Sequence, residues 1–307
     1  MFWAVLSAIG ACADAAYYIV NKRFLQSLEP DLLAAAGFLV GGVCLLCLSL
    51  ARGIPATGPD FLLAVGVDCV LNIIGTTLAF RALRSTDLSL AVPMLAFTPL
   101  FLIGTAALIL HEIPSTMGML GIIVIAAGSY VLNAAEGHTG LMDPFRAMVR
   151  DPGVFSMLVV AFLYAVVINF DKLVVTSSDT VFGSGLVFTL LGVAFLGIFL
   201  LKQYIGRGHG RIDGGEAADP SAGRTAGTWR DLATAALIVG FFLTIETVAI
   251  NQAYLQQIVP YVSAIKRTSI LITVVYGTLV FREKELLRRV SGAGLMVLGV
   301  VLILLFP

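Results

Sequence analysis

Ten stretches of the chain are mostly apolar: residues 2–20, 31–50, 61–80, 88–110, 116–133, 153–170, 181–201, 231–252, 258–281 and 286–306. Each approaches or exceeds the roughly 20 residues that carry a helix across the hydrocarbon of a bilayer. None alternates with the period of two that a barrel strand requires, so the pattern predicts helices throughout. Polar punctuation separates the runs: EPD ending at Asp31, GIPATGPD before Phe61, HEIPS after the fourth run and RDPG before the sixth. The longest polar stretch, 202–228, is rich in glycine and charge and is predicted to be a mobile loop. His209 within it reads as a solvated side chain rather than a metal ligand.

Composition agrees with that pattern. Of 307 residues, 59% are hydrophobic and 12% charged, where a soluble domain carries about 25% charged residues. The expected class is an all-α, multi-pass membrane protein of the cell (inner) membrane. Formal net charge is +0, which argues against a nucleic-acid partner. Cys12, Cys44, Cys47 and Cys69 all lie in apolar runs, and Cys44 and Cys47 of CLLC lack histidine, aspartate or further cysteine neighbours, so packed thiols are expected and no metal site. The apolar N-terminal run lacks a basic leader and a cleavage signal, and reads as a retained first helix.

The runs are also related to one another. AVPMLAFTPLFLIGTAALILHE, ending at Glu112, reappears as IVPYVSAIKRTSILITVVYGTLVFRE, ending at Glu283. A shift of 171 residues places Ala82 on Ala253, Leu100 on Leu271, Glu112 on Glu283, Gly121 on Gly292 and Gly128 on Gly299. More weakly, YIVNKRF around Lys22 matches VINFDKL around Lys172. Two homologous units follow, 1–134 and 152–307, each of five helices. Because five is odd, the second unit must enter the membrane from the opposite side, giving an inverted repeat about an axis in the membrane plane.

Loop charge predicts the orientation. The loops after runs one, three, five, seven and nine hold Lys22, Arg23, Arg81, Arg84, Arg146, Arg150, Lys202, Arg207, Arg211, Arg224, Arg230, Arg282, Lys284, Arg288 and Arg289. The opposite loops hold only Arg52 and Lys172. Basic loops stay cytoplasmic, so both termini are expected outside.

The candidate chemistry lies in the second unit. Where the first unit has Leu95-Ala96 in mid-run, the second has Lys266-Arg267. A charge at the bilayer centre costs about 2.5–3.5 kcal/mol on insertion scales, which is tolerable beside a wet cavity or a counter-ion. Arginine offers a planar fork for a carboxylate or phosphate, and lysine a point charge beside it. The functional reading is an anion-binding site; the plainer reading is a buried ion pair that ties helices together. Glu246 and Asp68 fall at a matching depth and are the expected counter-charges, with a proton-coupling role open to either. Asp14, nearer the end of its helix, is a candidate gate or relay group, or simply a carboxylate paired with Lys22. Asn72 shares the face of Asp68, while Asn251 and Tyr254 follow Glu246 and complete the candidate substrate site. Tyr17, Tyr164, Tyr261 and Tyr276 could line a cavity or merely pack. Asn169, Asp171 and Lys172 read as an interfacial cluster.

Ten helices in two units, each with its helix–Glu–helix signature, resemble the drug/metabolite transporter superfamily and in particular its EamA-type members. That resemblance implies a carrier of small metabolites with a cavity lined mainly by the first, third, fourth, sixth, eighth and ninth helices. It also implies cytoplasmic termini, opposite to the loop charges, which are followed here. IKRTSI is similar to the Lys-Arg pair in the ninth helix of triose-phosphate translocators, which places a phosphate-holding role on Lys266 and Arg267. The third cation of that branch would fall at Leu95. Its absence favours a less highly charged anion, such as a carboxylate.

No enzyme signature is present: HEIPS lacks the second histidine of HExxH, and no GxSxG, Walker or GxGxxG sequence occurs. A non-enzymatic secondary transporter without cofactors is the leading expectation, moving a small anionic or zwitterionic metabolite by alternating access. A flippase for a lipid-linked anionic head group and a non-transporting scaffold or sensor are the alternatives. The expected partners are the substrate and the bilayer, with a homodimer also compatible.

Overall fold

A computed structural model of the chain describes residues 1–25, 27–85, 92–136, 142–209, 229–273 and 286–306. Every regular element among them is helical. We number the principal helices α1 (Phe2–Phe24), α2 (Pro30–Arg52), α3 (Phe61–Ser85), α4 (Thr98–Ile109), α5 (Thr116–Glu136), α6 (Pro152–Thr176), α7 (Thr180–His209), α8 (Trp229–Tyr254), α9 (Val259–Lys266) and α10 (Leu286–Leu305). A short amphipathic helix, Asp143–Arg150, joins α5 to α6. Among the described residues six helices are long and apolar enough to cross a membrane: α1, α2, α3, α6, α7 and α8. Their outward positions are apolar too, with Leu62 75% and Leu201 58% exposed. Such a surface suits lipid and not water.

Local chemistry starts and stops these helices. Pro30 and Pro152 sit in the first turns of α2 and α6, where a missing N–H costs nothing. The Asp151 carboxylate accepts from Gly153 N at 2.8 Å and caps α6. The apolar fourth run departs from the single helix predicted for 88–110. Residues 88–91 lie outside the described residues; from Val92 to Phe97 the run is a 3-10 turn around Pro93, and it is α-helical only from Thr98. The polar stretch predicted as a loop from residue 202 also needs correction. Residues 202–209 continue α7 beyond its apolar part, and Lys202 Nζ reaches Asp31 Oδ2 on α2 at 2.6 Å. Residues 210–228 lie outside the described residues.

The packing has a twofold pattern. Helix α1 packs on α8 and α9, α3 on α6 and α7, α6 on α4, α2 on α7 and α8, and α5 on α10. Exchanging each helix with the one five places along maps α1–α8 onto α6–α3, α1–α9 onto α6–α4 and α2–α8 onto α7–α3. It maps α2–α7 and α5–α10 onto themselves. Those two self-related pairs show direction. A methyl carbon added at Gly121 would stand 2.8 Å from Gly299 O, and one at Gly128 2.6 Å from Gly292 O. The contact therefore ascends α5 while descending α10, and the two helices are antiparallel. At the α2–α7 seam Gly42 meets Thr189 and Gly192 meets Leu39, again antiparallel. Glycine is required at these crossings because backbone meets backbone.

The connections also sort onto faces. Gly58 N donates to Ser177 O at 2.7 Å, Thr180 Oγ1 to Gln252 Oε1 at 3.1 Å, and Ser115 Oγ to Phe306 O at 2.7 Å. The links α2–α3, α4–α5, α6–α7 and α8–α9 and the end of α10 thus share one face. Glu283, the repeat mate of Glu112, lies outside the described residues, as do Tyr276, Arg282 and Lys284.

Candidate functional site

The ninth helix is not continuous. Helix α9 ends at Lys266, and the chain turns helical again from Ser269. Across the gap the hydrogen bonds tighten to three-residue steps: Thr268 N to Ile265 O at 2.9 Å, Ile270 N to Arg267 O at 3.2 Å and Leu271 N to Thr268 O at 2.9 Å. The Thr268 hydroxyl also donates to Ile265 O at 2.7 Å. Lys266 and Arg267 occupy this break. Irregular backbone at membrane depth is tolerated where it lines a cavity or is enclosed by protein.

The two cations have different surroundings. Lys266 Nζ forms an ion pair with Glu246 Oε1 on α8, and Glu246 Oε2 accepts from Thr247 Oγ1 at 3.2 Å. The Lys266 side chain is nevertheless 33% exposed, against 9% for Glu246, so the pair borders open space. Arg267 is half-buried and has no ion pair among the described residues. Asp14 on α1 lies within electrostatic range of Lys266, Glu246 and Arg267. Asp171 on α6 interacts with Lys266 and Glu246. Tyr164, whose hydroxyl is 3.5 Å from Thr76 Oγ1, faces Arg267. Four helices thus converge on one cluster: α1, α6, α8 and the broken ninth.

Other residues expected in the site are placed elsewhere. Asp68 is fully buried, accepts from Asn72 Nδ2 at 3.2 Å and leaves Oδ2 without a partner. Its electrostatic neighbour is Asp171, not Lys266. Of the two expected counter-charges, Glu246 is the one paired with Lys266. The reason is rotational: α3 and α6 run antiparallel with Gly75 against Tyr164, which sets Asp68 level with Asp171. Asn251 Nδ2 donates to buried Ser184 Oγ at 2.9 Å, away from the cations. Tyr254, by contrast, is buried 3.2 Å from Ser263 Oγ and lies within electrostatic range of Lys266, Asp171 and Glu246, so it borders the cluster as expected. Tyr261 is 2% exposed and holds Ser115 N at 2.8 Å, so it packs rather than lining a cavity.

The interfacial reading of Asn169, Asp171 and Lys172 is corrected as well. Helix α6 runs on to Thr176, which keeps all three inside the bundle. Asn169 is fully buried and donates to Thr105 Oγ1 at 3.0 Å and Ala165 O at 2.7 Å. Lys172 is ion-paired with Glu112. In the sequence, an acid and a lysine closing a long apolar run have the form of a helix end. No group of three or more metal-ligating side chains occurs among the described residues.

The sequence profile described as the EamA-like transporter family matches residues 1–134 and again 151–305. The chain belongs to the EamA-like transporter family. It is therefore an integral, multi-pass membrane protein of the drug/metabolite transporter type, built from two copies of the family unit. No curated protein matches the chain. A solved crystal structure of a protein superposes with a TM-score of 0.72 over 99% of this EamA-like chain and 99% of its own, at 16% identity. At that identity the likeness concerns the fold alone.

Proposed function

We propose that this EamA-like protein is a secondary transporter that moves a small anionic or zwitterionic metabolite by alternating access, with Arg267 as the anchor for its negative group. The observation that carries this reading is the contrast within one helix break. Lys266 is neutralised by Glu246, while Arg267 beside it keeps its guanidinium fork free of any carboxylate among the described residues. An arriving carboxylate can take Arg267 with two parallel hydrogen bonds and compete with Glu246 for Lys266. Lys266 thus stays neutralised by Glu246 in the empty site, while Arg267 gains its counter-charge only when the substrate arrives. Asp14 and Asp171 surround the pair with further negative charge and would receive an ammonium group on the same substrate.

The same proposal takes ten helices as membrane-spanning, the two units as inverted about an axis in the membrane plane, and both termini as outside. The antiparallel α5–α10 and α2–α7 pairs support inversion, and the loop charges support the orientation.

A thermal-stability screen of purified protein against amino acids, organic acids and sugar phosphates tests the site. We expect ligands with a carboxylate or phosphate to raise the melting temperature of the native protein, Arg267→Ala to abolish that shift while remaining folded, and Arg267→Lys to restore it in part. Retention of the full ligand shift in folded Arg267→Ala would show that the anion does not bind there.

A further inference from the structure

Away from the cations, a second charged cluster ties three segments together. The chain leaves α4 through His111, which has a φ of 56°. A non-glycine residue in the left-handed region is uncommon and has to be held there by its surroundings. Here the reversal lets Glu112 N donate to Ala106 O at 3.2 Å and turns the Glu112 side chain inward. Its Oε1 forms an ion pair with Lys172 on α6, and its Oε2 accepts from Val259 N, in the first turn of α9, at 2.7 Å. Lys172 Nζ donates in addition to Gln257 O in the α8–α9 link at 3.0 Å. The two side chains are 14% and 15% exposed.

This arrangement ties the two units together on one face. Glu112 lies in the first family unit, whereas Lys172, Gln257 and Val259 lie in the second. A carboxylate on the N–H of Val259 is also well placed for the positive end of the α9 dipole. Helix α9 is about 12 Å long from Val259 to Lys266, and it ends at the irregular turn that holds the two cations. One end of α9 is thus fixed by Glu112 and the other carries the site, with the 267–268 break as a hinge.

We propose that Glu112, Lys172 and the first turn of α9 form a releasable latch that keeps the protein closed on the face of the α4–α5 link, and that opening it swings α9 and exposes the cation site to that face. The inference rests on the transporter reading, but its test needs no substrate. Ser263, between the latch and Lys266, is 5% exposed and accepts an isosteric Ser263→Cys reporter once Cys12, Cys44, Cys47 and Cys69 are replaced.

The measured quantity is the rate at which a bulky, water-soluble maleimide labels that thiol. We expect slow labelling with the latch intact, and labelling about tenfold faster or more in Lys172→Met, as a coupling of ordinary size would give. Glu112→Gln, which keeps the volume and can still accept from Val259, should be faster than the parent even where Lys172→Met fails to fold. Unchanged labelling in a folded Glu112→Gln protein, or a loss of thermal stability without faster labelling, would make the cluster a structural tie and overturn the latch. A working latch in a protein whose Arg267 binds no anion would instead contradict the transport site alone.

Discussion

Replacing Gly299 by alanine puts the packing of the two family units to a quantitative test, because Gly294 on the same helix supplies its control. A methyl carbon at Gly299 would stand 2.6 Å from Gly121 O and 2.9 Å from Ile125 N. Both are backbone atoms, so no side-chain rotation relieves the clash. To reach ordinary contact near 3.4 Å, α5 has to retreat by about 0.8 Å, enough to forfeit a good part of the neighbouring dispersion attraction. Overpacking of this kind costs about 1–3 kcal/mol. At Gly294 nothing stands within 4 Å of the added carbon, so the same change should gain up to about 1 kcal/mol of helix preference. That preference is common to both positions, and the difference between the two variants isolates the packing cost. Thermal unfolding of purified protein, followed by intrinsic tryptophan fluorescence, reads it at about 2–4 °C per kcal/mol. Gly299→Ala should melt below the parent and Gly294→Ala at or above it. Should Gly299→Ala melt as high as Gly294→Ala, the two backbones do not touch there, and the antiparallel seam is wrong.

Three further outcomes follow from the site and the loops. Glu246→Gln leaves Lys266 without its carboxylate and should lower the melting temperature, by an amount the Glu246→Gln/Lys266→Met double variant recovers, because removing one partner of a buried pair costs more than removing both. Thermal melts of the four proteins in the cycle give the coupling, and zero coupling would deny the pair. Asp68→Asn should keep or raise the melting temperature, since it removes a buried acid that faces the like charge of Asp171; a large drop would mean that Asp68 balances a cation after all. A C-terminal reporter that fluoresces only in the cytoplasm should stay dark in cells, and a bright signal would reverse the orientation drawn from fifteen basic loop residues against two.

The apolar runs, the two-unit organisation and the unusual Lys266-Arg267 pair were all legible in the sequence, because each depends on quantities that run along the chain. Span length follows from the number of consecutive apolar residues, and the repeat from spacing alone. Even the glycines at 121, 128, 292 and 299 showed themselves as matched positions. What the spacing could not tell was that Gly121 meets Gly299 rather than Gly292, and that contact is the observation that makes the seam antiparallel.

The choice of partners was a matter of rotation about each helix axis, which hydropathy does not encode when nearly every face is apolar. Depth alone left Glu246 and Asp68 equivalent; the turn of α8 brings Glu246 to Lys266, while the turn of α3 sets Asp68 against Asn72 and level with Asp171. Asp171 and Lys172 look like a polar helix end in one dimension. In the fold, α6 continues past them, so one joins the cation cluster and the other binds a glutamate 60 residues away. Sequence determined that this chain carries charge inside a membrane bundle, because burial of so many apolar side chains admits no other solvent. Tertiary structure decided which charges meet, because electrostatic pairing depends on distances between helices that the order of residues along them does not contain.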